Sequence, residues 1–143
     1  MRLDARRPRS GTIGLMIRAQ YHFRSTPEGL IAWDVRRLIE LSRNLPVQEI
    51  ELSAIAELDH DHWYAHGGEA PTCRSIAGHC ALIQAADLAY PIILDASGRV
   101  MDGMHRAAKA LIEGRPTLKA VRFTTDPAPD YLDCDPQTLP YED

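Results

Sequence analysis

Asp102, Gly103, His105 and Arg106 stand within one five-residue stretch, at the point where a strand-like apolar run gives way to helical spacing. A helix that starts straight from a strand presents backbone N–H groups with no acceptor of their own and carries the positive end of its dipole there. An anion at that end gains hydrogen bonds and favourable charge together. Gly103 would let a phosphate approach the backbone, His105 can donate from either ring nitrogen, and Arg106 offers a rigid fork matched to phosphate oxygens. The chemistry indicated is recognition of phosphate, as a nucleotide carries it. The tetrad is short, and a helix start whose His and Arg simply face water fits the same spacing. Asp102 likewise has two readings: the N-cap of the following helix, where it would compete with phosphate for the same N–H groups, or a carboxylate that acts on a ligand.

A second concentration of reactive side chains lies at residues 59–71, Asp-His-Asp-His-Trp-Tyr-Ala-His-Gly-Gly-Glu-Ala-Pro, which follow neither strand nor helix periodicity. An irregular segment of this length inside a domain is a candidate functional loop. Asp59, Asp61 and Glu69 are its carboxylates, and solvated or capping roles fit all three. Trp63 and Tyr64 either stack on a base or pack the loop onto the core, and Trp33 is read as a packing residue at a helix start. His60, His62, His66, Cys73, His79 and Cys80 are suitable zinc donors, but their spacings match no common zinc pattern.

The elements that must position these residues follow from periodicity and turn chemistry. Residues 19–24 alternate enough for a first strand. Asp34 then caps a helix with Val35, Leu38, Ile39 and Ser42 on one face and Arg36, Arg37, Glu40 and Arg43 on the other, ended by Asn44-Leu45-Pro46. Residues 47–52 read as a strand. Pro71 suits the first turn of a helix in which Cys73, Ile76, Cys80 and Ile83 form one apolar stripe, so both cysteines are expected in the core. Residues 91–95 and 99–101 pair as a hairpin across Ala96-Ser97-Gly98. The helix at 103–113 turns Met104, Ala107, Ala108 and Leu111 to one side, Gly114-Arg115-Pro116 stops it, and residues 118–123 make a last strand.

With 143 residues, 45% hydrophobic and 25% charged, and a net charge of −4, the chain has the composition of one globular domain. No stretch approaches the roughly 18 apolar residues of a membrane span, and the first residues lack the apolar middle of a signal peptide. The three cysteines form no Cys-x-x-Cys pair, which fits a reducing compartment. A cytoplasmic protein with no membrane partner is expected. Arg2, Arg6, Arg7 and Arg9 crowd the start, but without interleaved aromatics and with an acidic balance overall they do not favour DNA as a partner. Residues 1–16 are expected to be a disordered basic tail, 17–125 the domain, and 126–143, with Pro127, Pro129, Pro136 and Pro140 among acids, a surface tail.

The unit of hairpin, Asp-Gly-x-His-Arg, alanine-rich helix, glycine and final strand resembles the ParB/sulfiredoxin superfamily over roughly residues 47–123. The match is best over Pro-Ile-Ile-Leu-Asp-Ala-Ser-Gly-Arg-Val-Met-Asp-Gly-Met-His-Arg-Ala-Ala-Lys-Ala-Leu at 91–111. The resemblance implies an α+β fold: a small mixed sheet flanked by helices, with the motif helix following a β-hairpin. Sulfiredoxins carry Gly-Cys-His-Arg and use the cysteine. Here Met104 stands in its place, and a thioether is not that nucleophile, so sulfinic acid reduction is not expected. ParB partition proteins bind CTP through an arginine-rich stretch that a helix-turn-helix domain follows, and no such domain is expected in the residues after 123. The free-serine kinases of the superfamily carry Asp-Gly-His-His-Arg, which this chain matches except at Met104.

By that similarity Gly103, Met104, His105 and Arg106 would surround the phosphates of ATP, ADP or CTP, and Asp102 would sit near the transferred group or bind Mg2+. Asp59, Asp61 or Glu69 would by the same similarity supply an acid facing the phosphates, as general base on a substrate hydroxyl, and Arg74 is either a second phosphate contact or a surface arginine. The implied function is nucleotide binding with Mg-dependent phosphotransferase or NTPase activity, the acceptor being a hydroxyl-bearing small molecule. The alternative is a non-catalytic partition or regulatory module that binds nucleotide or DNA. A nuclease role lacks an acidic metal cluster or a basic face. Base, acceptor and oligomeric state are not specified by the motif.

Overall fold

Ile92, Ile93 and Leu94 are apolar on both faces of a strand, so a layer is required on each side of the sheet that holds them. The computed structural model describes residues 20–65 and 70–141, and the expected N-terminal tail and Glu69 lie outside them. In chain order the elements are β1 (Tyr21–Thr26), β2 (Gly29–Asp34), α1 (Val35–Leu41), β3 (Gln48–Glu51), α2 (Cys73–Ala85), β4 (Ile92–Leu94), β5 (Val100–Asp102), α3 (Met104–Ile112) and β6 (Thr117–Arg122). Single 3₁₀ turns occur at Leu52–Ala54, Ala56–Asp59 and Pro136–Thr138. This is a mixed α+β domain with two sheets, β1-β2 and β3-β6-β4-β5. Among the described residues no helix is long and apolar enough to cross a membrane.

The larger sheet is mixed. β4 runs parallel to β6 and antiparallel to β5, while β3 is antiparallel to β6. Alternate residues therefore feed two cores. Ile92, Leu94, Val100, Leu118 and Ala120 face Met104, Ala107 and Ala110 of α3 together with Leu52 and Ile55. Ile93, Met101, Val121 and Phe123 face Trp33 and Leu38 on the other side. Asp34 caps α1 as expected, accepting from Arg36 N–H at 2.9 Å, and Val35, Leu38 and Ser42 are buried, whereas Ile39 is exposed. The turn between β4 and β5 is organised by fully buried Asp95. Its carboxylate accepts from the N–H groups of Ser97 and Arg99, both at 2.9 Å, and meets the Arg24 guanidinium of β1 at 2.5 Å.

Several expectations need correction. Gly29–Asp34 is a strand that runs directly into α1, so Trp33 lies in a hairpin as well as just before the helix cap, and it is the core residue expected of it. Cys73, Ile76 and Cys80 are exposed, because α2 turns the neighbouring stripe inward, with Gly78 and His79 buried. Contacts to Tyr64 and His105, described below, fix that rotation. Leu111 is exposed because α3 buries positions at three-residue steps, Met104, Ala107 and Ala110. The segment after β6 is hydrogen-bonded along β2: Ala32 N–H donates to Tyr131 O at 3.0 Å, Cys134 N–H to Leu30 O at 2.9 Å, and Trp33 Nε1 to Pro127 O at 2.8 Å.

Candidate functional site

The strand-to-helix junction turns on one residue. β5 ends at Asp102, α3 begins at Met104, and Gly103 between them adopts φ 116° and ψ 18°. That left-handed conformation is strained for any residue with a Cβ. A Cβ here would also lie 2.7 Å from Ile92 Cβ and closer still to Ile92 Cγ2. The glycine therefore serves the backbone turn and the close approach of fully buried Ile92. The same Cβ would lie 3.1 Å from Arg106 Nη2, so the missing side chain clears space toward the guanidinium as well as toward the sheet.

Asp102 is not the N-cap. Gly103 holds that position without a side-chain bond, and the Asp102 carboxylate instead meets Arg106 Nη2 at 2.9 Å. The first intrahelical bond runs from Ala107 N–H to Gly103 O at 3.0 Å. The N–H groups of Met104, His105 and Arg106 consequently have no acceptor among the described residues. Competition between a capping carboxylate and a ligand at these groups is thereby removed. Met104 contributes only its N–H here, because its side chain is buried in the core beside Ala107. Arg106 is less free than its sequence position suggests: besides Asp102, it donates through Nη1 to Pro91 O at 3.2 Å and Tyr90 O at 3.4 Å.

His105 is also engaged. Its Nε2 lies 2.9 Å from His79 Nδ1 on α2. Trp63, from the irregular loop, stacks nearly parallel to both rings, 4.3 Å from His79 at 15° and 4.8 Å from His105 at 14°. Burial comes first among the causes that push the His105 pKa down to about 3, and the Arg106 charge, or a proton on His79, opposes a second proton there, so the ring is neutral at physiological pH. The expectation that either ring nitrogen can serve a phosphate narrows to Nδ1. The loop is held against α2 by Tyr64 Oη, 2.9 Å from Ser75 Oγ. Trp63 thus packs the loop onto the two histidines, the packing alternative for that residue.

The other expected site residues are not brought to this junction by any described contact. Asp61 accepts from Tyr64 N–H at 3.1 Å, an Asx turn that shapes its own loop. Asp59 is exposed at the end of a 3₁₀ turn. Arg74 is exposed on the first turn of α2. Among the described residues no three His, Cys, Asp or Glu side chains are grouped to hold a metal ion. The site residue that sequence reasoning did not assign to the junction is His79. Its signal was a histidine within an otherwise apolar helical run, where burial requires a hydrogen-bond partner. No family model, curated protein or solved structure matches the chain.

Proposed function

We propose that this chain binds a nucleotide through its phosphates at the N-terminus of α3, in the manner of the ParB/sulfiredoxin superfamily that its Asp-Gly-x-His-Arg stretch resembles. The observation that carries the reading is the set of three consecutive N–H groups, at Met104, His105 and Arg106, with no capping side chain, beside a guanidinium whose fork is already oriented. Backbone donors at the positive end of a helix dipole, next to an arginine, are complementary to a phosphate. Asp102 is one residue from those donors, and it would serve Mg2+ together with phosphate oxygens and water, which is how that ion is commonly held.

Binding asks only for the donors at the junction, and transfer asks for more. Phosphoryl transfer to a hydroxyl asks for a carboxylate that can take the proton, and no contact among the described residues brings Asp59 or Asp61 to the junction. That separation favours the second reading, a nucleotide-binding module that switches a partner without turnover. Calorimetric titration with ATP, ADP, CTP and GTP in magnesium tests binding, with Arg106→Ala, checked by circular dichroism for folding, as the control. Micromolar binding lost in the control is the expected result, and no heat with any nucleotide refutes the proposal. Multiple-turnover phosphate release across hydroxyl-bearing metabolites then separates an enzyme from a module.

A further inference from the structure

The two histidines behind the junction are joined through nitrogens that cannot both carry a proton. We propose that His79 is a positioning residue for His105, and that through it a phosphate at the head of α3 selects the tautomer of His105. The inference rests on the phosphate-binding reading above. Each neutral imidazole has one N–H, and His79 Nδ1 and His105 Nε2 lie 2.9 Å apart, so one of them donates and the other accepts. In one arrangement His79 Nδ1–H donates, and the proton of His105 sits on Nδ1. In the other His105 Nε2–H donates, His105 Nδ1 is bare, and the proton of His79 sits on Nε2.

Nδ1 is the ring nitrogen nearer the backbone, and His105 is the second residue of α3, among the N–H groups assigned to the phosphate. A bare Nδ1 lone pair suits the positive end of the helix but repels an anion, whereas Nδ1–H donates to one. Phosphate therefore favours the first arrangement. Conversion shifts the bridging proton from His105 to His79, removes the Nε2 proton of His79 and adds one at His105 Nδ1, with no change in net charge; His79 Nε2 is buried, so its proton exchanges with water only on transient opening of the site. Adding a proton instead would place a buried cation beside Arg106 and under Trp63. Depression of the His105 pKa by burial, His79, His62 and Arg106 stands against that route. Trp63, stacked within 15° of both rings, keeps them close to one plane so that the shared bond survives the exchange.

The test is 15N NMR of the imidazole nitrogens in the intact chain, with inorganic pyrophosphate as the probe and the amides of Met104, His105 and Arg106 followed in the same titration. The expected result is movement of those amides together with a shift of His105 toward the Nδ1–H form and of His79 toward Nδ1–H. In His79→Phe, pyrophosphate binds about tenfold more weakly, the value of one hydrogen bond, and His79→Asn, which keeps a side-chain donor, restores most of it. Amides that move while the His105 tautomer stays fixed overturn the inference and leave the phosphate site standing. Amides that do not move overturn both. The wild-type measurement decides between these outcomes even if the phenylalanine variant fails to fold.

Discussion

Gly103→Ala separates a glycine kept for a ligand from one kept for the fold. At φ 116° a Cβ is strained by about 1–2 kcal/mol before any neighbour is considered. The new atom also lies 2.7 Å from Ile92 Cβ, in a residue with no exposed surface to yield into, and overpacking of that kind costs about 1–3 kcal/mol. Together the substitution is expected to remove about 2–5 kcal/mol from the stability of the nucleotide-free chain. Urea unfolding at pH 7 is the assay. With a slope of about 2 kcal/mol/M the midpoint falls by roughly 1–2.5 M. Ile92→Ala in the same background removes the Cγ2 contact, so the double variant is expected to be more stable than the sum of the single losses by about 1 kcal/mol. A Gly103→Ala protein that unfolds at the wild-type midpoint yet no longer binds nucleotide would refute this account and return the glycine to the ligand.

Two further perturbations act on titrating groups. Because His105 titrates near 3 when folded and near 6.5 when unfolded, the unfolded chain takes up the proton first as pH falls. The contribution is intact above pH 6.5 and declines toward pH 3, reaching about 2 kcal/mol of lost stability between pH 7 and pH 5, a loss that His105→Asn should not show when both proteins are unfolded by urea at each pH. For Asp95, burial pushes the carboxyl up, but bonds from Arg99 N–H and the Ser97 hydroxyl and the charge of Arg24 outweigh it and hold it below the usual carboxylate range. Asp95→Ala leaves those donors and the Arg24 charge without that acceptor, and is expected to cost about 3–5 kcal/mol in thermal or urea unfolding, with Asp95→Asn milder because it keeps an acceptor oxygen.

What the sequence made legible was local. The β4–β5 hairpin and the start and stop of α3 rest on Gly98, Gly103 and Gly114, each at positive φ, and the α1 cap on the Asp34 side chain. Signals of that range are carried by neighbouring residues alone. The strand Gly29–Asp34 was not legible because its apolar residues do not alternate cleanly. Its partners are β1 on one side and residues near Tyr131 on the other. The rotation of α2 was misread for a related reason: Cys73-Ile76-Cys80-Ile83 is a sound apolar stripe, but the Ser75 and His79 contacts to Tyr64 and His105 decide which stripe faces inward. Asp102 was readable in principle, since Asp102 and Arg106 stand at i and i+4, a spacing that pairs on a helix surface, yet the competing N-cap pattern matched the same position.

The pairing of Asp102 with Arg106 also bears on how a phosphate could enter. The guanidinium is held by Asp102 at 2.9 Å and by Pro91 O at 3.2 Å, so little side-chain freedom is lost when it engages a ligand. A phosphate that draws on the same fork leaves the Asp102 carboxylate facing a second anion, and two like charges at that range oppose binding. A divalent cation bridging Asp102 and the phosphate reverses the sign of that interaction. Nucleotide affinity in the wild-type chain is therefore expected to fall about tenfold or more when magnesium is replaced by EDTA, the equivalent of about 1.4 kcal/mol. Asp102→Asn, which keeps the shape and discards the charge, should bind nucleotide with little dependence on magnesium. Calorimetry of both proteins with and without the ion checks this. Equal wild-type affinities in magnesium and in EDTA would place the phosphate away from Asp102 and remove the basis for a metal-assisted transfer at this junction.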